Sequence, residues 1–354
     1  MKKFYTFLFV LLIAAMALSA CQPAATPTTA PPAAPTEAAP AEPTEAAAEP
    51  AEAFRVAVVM PSAINDLAFS QSMFDALNTI QTEMGAGNFE FVHTDNMFVV
   101  DDAAAAIRDY ASQGYDLVIG HGSQYGSSLA EIAPDFPDTS FAWGTTVDTF
   151  TDQGVNNVFA YEARSEQGGF VLGVVAATIS ESGIIGVIGP IETGDAKLYV
   201  DGFRAGVLSV KPDAQLNVNW INSFSDVALA SEAAQTHINA GADALTGTAQ
   251  MVVGAIGVAQ ERGVPWFGTQ SNQASLAPEI VVASQVYKWE VVLRQIIDLV
   301  KAGTLGGQAF QIDLANQGEV IEFNPQYNLA ADVAQASQDT ITGIANGTIQ
   351  IQLP

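Results

Sequence analysis

The chain of 354 residues contains one cysteine, Cys21. This excludes an internal disulfide, a CxxC redox pair and any cysteine-rich metal site. Histidine is almost as scarce: His93, His121 and His237 are all there are, too few for a histidine-rich metal centre. Positive charge is the third shortage. Twelve Lys and Arg face 38 Asp and Glu, for a formal net charge of −26, and two of the twelve, Lys2 and Lys3, stand at the extreme N-terminus. Nucleic acid requires basic patches to neutralise its phosphates, and anionic lipid requires polybasic clusters. Neither is expected as an electrostatic partner. Catalytic signatures are missing too. There is no GxxxxGK[ST] and no HExxH. Gly120-His-Gly-Ser-Gln124 has a serine after a strand-like run, but without the flanking glycine of a nucleophile elbow. Asp101-Asp102 reads as a helix start favoured by the macrodipole. No enzyme, metal site or cofactor is expected.

Apolar residues make up 49% of the sequence, enough for two cores, and the length suggests about two domains. Met1-Lys-Lys3 is followed by an apolar run from Phe4 to Ala17, too short to span a membrane comfortably. Leu18-Ser-Ala-Cys21 ends it in the manner of a bacterial lipobox. Residues 1–21 therefore read as a lipoprotein signal, with Cys21 as the acylated residue that anchors the chain to a membrane surface without a spanning helix. A plain signal peptide is the alternative. Residues 22–53 are almost wholly Ala, Pro, Thr and Glu. Such a segment cannot bury enough apolar surface to offset its ordering entropy, and its prolines make it an extended spacer.

From Phe54 onward short apolar runs alternate with helical patterns, the signature of parallel sheets flanked by helices in an α/β fold. The first strand, Phe54 to Met60, ends at Pro61, and Asn65 or Asp66 can cap a helix with apolar residues at Phe69, Met73, Leu77 and Ile80. Further strands are expected at Phe89–His93, Asp116–Gly120, Thr139–Trp143 and Asn157–Tyr161. The pattern restarts with a helix over Glu166–Ile179, whose Gly168, Gly169 and Gly173 permit close packing, and runs on to a helix over Glu290–Lys301. Two such lobes place a cleft between them, where small ligands bind. The turns after the strands carry the candidate ligand contacts: Asn65, Asp66, Phe69, His121, Gln124, Tyr125, Gln250, Gln270, Asn272 and Lys288. These are amide, aromatic and charged groups suited to stacking a flat ring and hydrogen-bonding its edge. Each has a plainer alternative. Asp66 can be a helix cap, Phe69 a core residue, Gln270 and Asn272 ordinary turn residues, and Lys288 a solvated helix start.

Several ordered blocks resemble one family. Ile64-Asn-Asp-Leu-Ala-Phe-Ser-Gln71, Ser112-Gln-Gly-Tyr-Asp-Leu-Val118, Arg164-Ser-Glu-Gln-Gly168 through Gly173, Tyr199-Val-Asp-Gly-Phe-Arg-Ala-Gly206, Ser223-Phe-Ser-Asp226 and Gly241-Ala-Asp243 are similar to blocks of the basic membrane protein family of lipoproteins. That group includes purine nucleoside receptors of ABC importers. The resemblance runs from about Phe54 to the C-terminus. It implies a two-lobed type I periplasmic-binding-protein fold, with 54–162 plus about 288–315 as one lobe and 163–287 plus about 316–354 as the other. It also implies hinge closure on a ligand, delivery to ABC permease subunits, a monomer held extracytoplasmically at the cell membrane, and no catalysis. By the same resemblance Asp66 contacts the base, Phe69 is the loop aromatic, and Lys288 grips ribose hydroxyls together with an Asp. That Asp is Gln270 here, within Gly268-Thr-Gln-Ser-Asn-Gln273, and an aromatic often found after GAD is Thr246. An amide accepts hydroxyl protons less strongly than a carboxylate. A nucleobase, a flavin-like ring or another polar heterocycle is therefore expected ahead of an unmodified nucleoside. The alternative function is a sensory receptor of the same fold that presents its closed form to a membrane signalling partner.

Overall fold

The computed structural model describes residues 52–353. Cys21, the N-terminal apolar run and nearly all of the Pro/Ala tether lie outside the described residues. Among the described residues, no helix is long and apolar enough to cross a membrane.

In the first half, β1 (Phe54–Val59), α1 (Phe69–Met84), β2 (Phe89–Thr94), α2 (Val100–Ser112), β3 (Leu117–His121), α3 (Gly126–Ile132), β4 (Ser140–Gly144) and β5 (Val158–Ala163) follow in order. The second half repeats the rhythm with α4 (Ser165–Ile179), β6 (Ile184–Gly189), α5 (Gly194–Val210), β7 (Gln215–Trp220), α6 (Val227–Asn239), β8 (Ala244–Gly247), α7 (Val252–Arg262), β9 (Trp266–Gly268) and β10 (Val281–Tyr287). The chain finishes with α8 (Glu290–Lys301), β11 (Ala309–Ile312), β12 (Glu319–Phe323) and α9 (Ala331–Ala345).

Two six-stranded sheets result, in the orders β11-β5-β4-β3-β1-β2 and β12-β10-β9-β8-β6-β7. The first is wholly parallel, with Val56 opposite Leu117 and Ile119 opposite Ala142. In the second only the β10–β12 pair is antiparallel. Strands buried on both faces are largely apolar. The residues of β3 (LVIGH) and β10 (VVASQVY) are all buried, and the polar ones among them, His121, Ser284 and Gln285, are hydrogen-bonded. The two sheets share one topology. In each, the first strand lies between the second and the third, so the direction of winding reverses beside it. Ligands of open α/β sheets bind outside the carboxyl ends of the strands at such switch points.

Three expectations need correction. Helix α1 starts at Phe69, with Ala68 rather than Asn65 or Asp66 in the flanking position. His121 completes β3 instead of opening a turn. After Lys301 the sequence pattern announced nothing, yet β11, β12 and α9 are there. The two strands are short sheet edges. The buried face of α9 is Ser337, Thr340, Gly343 and Ile344, mostly small or polar, so it lacks the apolar period that reveals a helix.

Helices α4 and α5 pack backbone to backbone. A methyl group on Gly173 would lie 2.2 Å from the Phe203 carbonyl oxygen, and one on Gly206 2.1 Å from that of Phe170. The chain passes between the sheets at β5–α4, β10–α8 and β11–β12. There Ser165 Oγ and Tyr287 Oη lie 2.7 Å apart, and the Arg164 N–H donates to Ile312 O at 2.8 Å.

Candidate functional site

The carboxyl ends of the two sheets' strands enclose a cavity with about 400 Å³ of empty space, part of it open solvent. Each residue lining it follows a parallel strand. Pro61 and Phe69 follow β1, Phe98 follows β2, and Gly122, Ser123 and Gln124 follow β3. Thr145 follows β4. On the other side Asp195 and Ala196 follow β6, Phe224 follows β7, Ala249 and Gln250 follow β8, and Gln270 follows β9. The switch points of both sheets thus open into one space.

Phe69 is 7% exposed, and what it exposes faces the cavity. Its other face lies on His121, with ring centroids 3.8 Å apart and planes 8° from parallel. Behind His121 lies Tyr161, nearly parallel at 5.9 Å, and Trp289 meets all three rings edge-on. The column is closed by hydrogen bonds. His121 Nδ1 pairs with the Tyr161 hydroxyl at 2.8 Å and Nε2 lies 3.2 Å from the Phe69 carbonyl oxygen. Full burial pushes the His121 pKa down to about 3, the Phe69 contact opposing only weakly. The imidazole is therefore neutral and serves as a rigid backing for Phe69.

The opposite wall is polar and incompletely bonded. Asp195 Oδ2, Gln250 Oε1 and Gln270 Oε1 are shielded from solvent, and no protein group donates to any of them. Burial raises the Asp195 pKa to about 6, against opposing hydrogen bonds from the Ala196 and Asp195 amides and the Gln270 side chain. Two residues of this wall, Ala249 with φ 76° and Gln270 with φ 69°, stand on strained backbone, a region that residues with a Cβ seldom occupy. Leu67, just before α1, has φ 52°. Among the described residues, no Lys, Arg or His lines the cavity.

Of the residues singled out in the sequence, Phe69, Gln124, Gln250 and Gln270 line this cavity. The others lie elsewhere for physical reasons. Asp66 has spent its oxygens locally. It accepts from Ser62 Oγ at 2.5 Å, Ala68 N at 2.8 Å, and Ser70 N and Gln71 N at 3.1 Å, satisfying the open amides of the first turn of α1. Asn65 is exposed and outside the lining. His121 lies behind Phe69. Tyr125 is fully buried, its hydroxyl donating to Met97 O at 2.7 Å. Lys288 pairs with Glu322 at 3.2 Å, and Asn272 donates to the same carboxylate at 2.7 Å. These two line a separate pocket with Gln71 and Asp75. The sequence reading missed Asp195, Phe224, Phe98 and Thr145. Their signal was position: each follows a strand of a parallel sheet, the same rule that found Phe69.

The two sides also touch directly. Ser271 Oγ donates to Ala68 O at 2.8 Å, and Gln273 Nε2 to Leu67 O at 3.3 Å. These join the loop after β9 to the loop before α1.

A family model described as "ABC transporter substrate-binding protein PnrA-like" matches residues 53–353. A purine-binding protein of Brucella abortus is 27% identical over 303 residues, covering 86% of this chain and 84% of that protein. The transcriptional activator protein med of Bacillus subtilis is 27% identical over 267 residues, covering 75% and 80%. Among solved structures, an ABC transporter solute-binding protein from Conexibacter woesei superposes with a TM-score of 0.70 at 22% identity, covering 85% of this chain and 99% of that one. This last likeness concerns the fold.

Proposed function

From the premise that the chain belongs to the PnrA-like family of ABC transporter substrate-binding proteins, we propose that it captures a flat heteroaromatic solute by stacking it on Phe69. Members of this family bind small molecules outside the cytoplasm for ABC permeases and are not enzymes. The observation that carries the proposal is the Phe69 ring, backed by His121 and Tyr161 and facing a cavity with unpartnered polar oxygens on its far side. A ring in that space gains offset stacking on one face and hydrogen bonds at its edge. The purine-binding relative supports the same class of ligand. A nucleobase or similar heterocycle fits better than an unmodified nucleoside, because Gln270 replaces the family's ribose-binding Asp and Lys288 is engaged by Glu322.

The mechanism is closure of two lobes, 54–162 plus about 288–315 and 163–287 plus about 316–354. Membership of β11 in the first sheet and β12 in the second supports this division. Contacts made only on closure, such as Ser271 to Ala68, bias the equilibrium towards the closed state when solute adds its own. Lipidation of Cys21 and the proline-rich tether would hold this monomeric body at the outer face of the membrane, within reach of the permease.

The test is to denature the purified protein and identify released small molecules by mass spectrometry, then to run a thermal-shift panel. An aromatic heterocycle should be released, and at a hundredfold excess over Kd the same compound should stabilise the protein by about 2.7 kcal/mol. Release of a sugar or peptide, with no shift from any heterocycle, overturns the proposal. The similarity to a transcriptional activator favours a second reading, in which the closed form is presented to a membrane signalling partner. Capture of permease subunits by the closed protein argues for import, and capture of a membrane kinase for signalling.

A further inference from the structure

The three unpartnered oxygens narrow the chemistry of the solute, given the proposed stacking on Phe69. We propose that Asp195, with the side-chain carbonyls of Gln250 and Gln270, forms a donor-selecting wall, so that the solute is an amino-bearing heteroaromatic base, neutral or cationic, and neither its oxo counterpart nor a phosphorylated form.

Each fully buried side-chain atom left without a partner on this wall is an oxygen. Asp195 Oδ2, Gln250 Oε1 and Gln270 Oε1 are each buried without a donor. Such oxygens are costly when left unmet. Gln270 is 3% exposed, and its buried carbonyl oxygen has no partner. An amino group beside a ring nitrogen offers N–H donors along one edge. A carbonyl at the same place would set oxygen against oxygen.

Charge points the same way. The cavity has no cationic side chain on its lining, and Glu162 adds a second negative charge near Asp195. A phosphate or carboxylate would enter against both. A protonated base would be drawn in, and the net charge of −26 favours its approach. Asp195 replaces no interaction expected from the family resemblance. It comes after β6, at the start of α5, and lines the same cavity as Gln270, which stands where the family has its ribose-binding Asp.

The group is also poised to respond to its ligand. Burial holds the free carboxyl near pH 6 for half-ionisation, with the Ala196 and Asp195 amides and Gln270 on the opposing side. The titratable groups that reach it are Glu162 on β5 and Tyr287 on β10. A bound N–H donor stabilises the ionised form, so binding at pH below 6 must first remove a proton. Affinity for an amino-bearing base should then fall by about tenfold per pH unit below 6, while an oxo base, whose carbonyl the protonated carboxyl can meet with its O–H, loses none.

The experiment is calorimetry on the full chain, stripped of solute by denaturation and refolding, with adenine against hypoxanthine and cytosine against uracil. In each pair an amino group gives way to an oxygen and the ring nitrogen beside it gains a hydrogen, so the oxo member keeps one N–H where the amino member has two. At pH 7 the amino member should bind about tenfold or more tightly. Asp195→Asn should shrink that ratio by about tenfold, and Phe69→Ala should weaken both members of a pair alike. Should Asp195→Asn fold poorly, the wild-type profile from pH 7 to 5 decides: adenine binding falls and hypoxanthine binding stays level. Equal binding of amino and oxo members, an unchanged ratio in Asp195→Asn with a normal fold, or a level adenine profile overturns the donor-selecting wall. If Phe69→Ala still weakens binding in that case, the heterocycle reading stands. If none of the four bases binds and Phe69→Ala does not change retention of the co-purified solute, both readings fall.

Discussion

The two walls of the cavity differ in how far the protein alone completes them. On one, Phe69, His121 and Tyr161 form a stacked column in which both imidazole nitrogens have partners. On the other, Asp195, Gln250 and Gln270 each keep a buried oxygen without a donor, and two of the residues in its loops adopt left-handed backbone. The first wall is stable with or without a guest, and any flat ring satisfies it. The second is costly until a guest supplies donors, so it discriminates. Affinity for a ring and choice among rings are thus carried by different lobes.

That division can be challenged by substitution. The largest effect should come from Phe69→Ala, which removes the stacking face. We expect a loss of binding of roughly 100-fold and a stability loss of about 3 kcal/mol from the emptied space, read by calorimetry and urea unfolding. A smaller loss than that of Asp195→Asn would reverse the ranking of the walls. Next comes Ser271→Ala, which deletes the hydrogen bond to Ala68 O across the cleft. About 1 kcal/mol of closure energy is at stake, so the Kd should weaken about fivefold and the unliganded protein should scatter as a more open particle at small angles. An unchanged Kd would show that this contact does not belong to closure. The smallest effect should follow Lys288→Ala. The Lys288–Glu322 pair is 39% and 35% exposed, and such pairs are worth about 0–1 kcal/mol. We expect binding within about twofold of wild type. A tenfold loss would bring Lys288 into the site and restore a ribose as part of the ligand.

How much of this was legible in the sequence depended on how local the determining forces are. The run DLVIG and the spacing of Phe69, Met73, Leu77 and Ile80 mark β3 and α1 because burial imposes its period on neighbouring residues. Three of the lining polar residues, Gln124, Gln250 and Gln270, were found because they follow strands. Asp66 and Lys288 were selected as ligand contacts, but both charges find nearer partners in the amides of α1 and in Glu322. Asp195 was overlooked because it stands in the first turn of α5, where an acidic residue reads as an ordinary helix start, and no local pattern reports which residues face it across the cavity.

The amino-acid sequence by itself determined the α/β class and the family. The first follows from short-range periodicity, the second from short ordered blocks. Only the tertiary structure decided which strand-end residues share a cavity, that His121 backs the ring rather than touching a ligand, and that Asp195 belongs to the opposite wall. The opening turn around Asp66 and Phe69 shows the reason. Both residues sit in one short loop, yet the fold turns the carboxylate inward to its helix and the ring outward to the cleft, because hydrogen bonds close locally while stacking requires a partner from another strand.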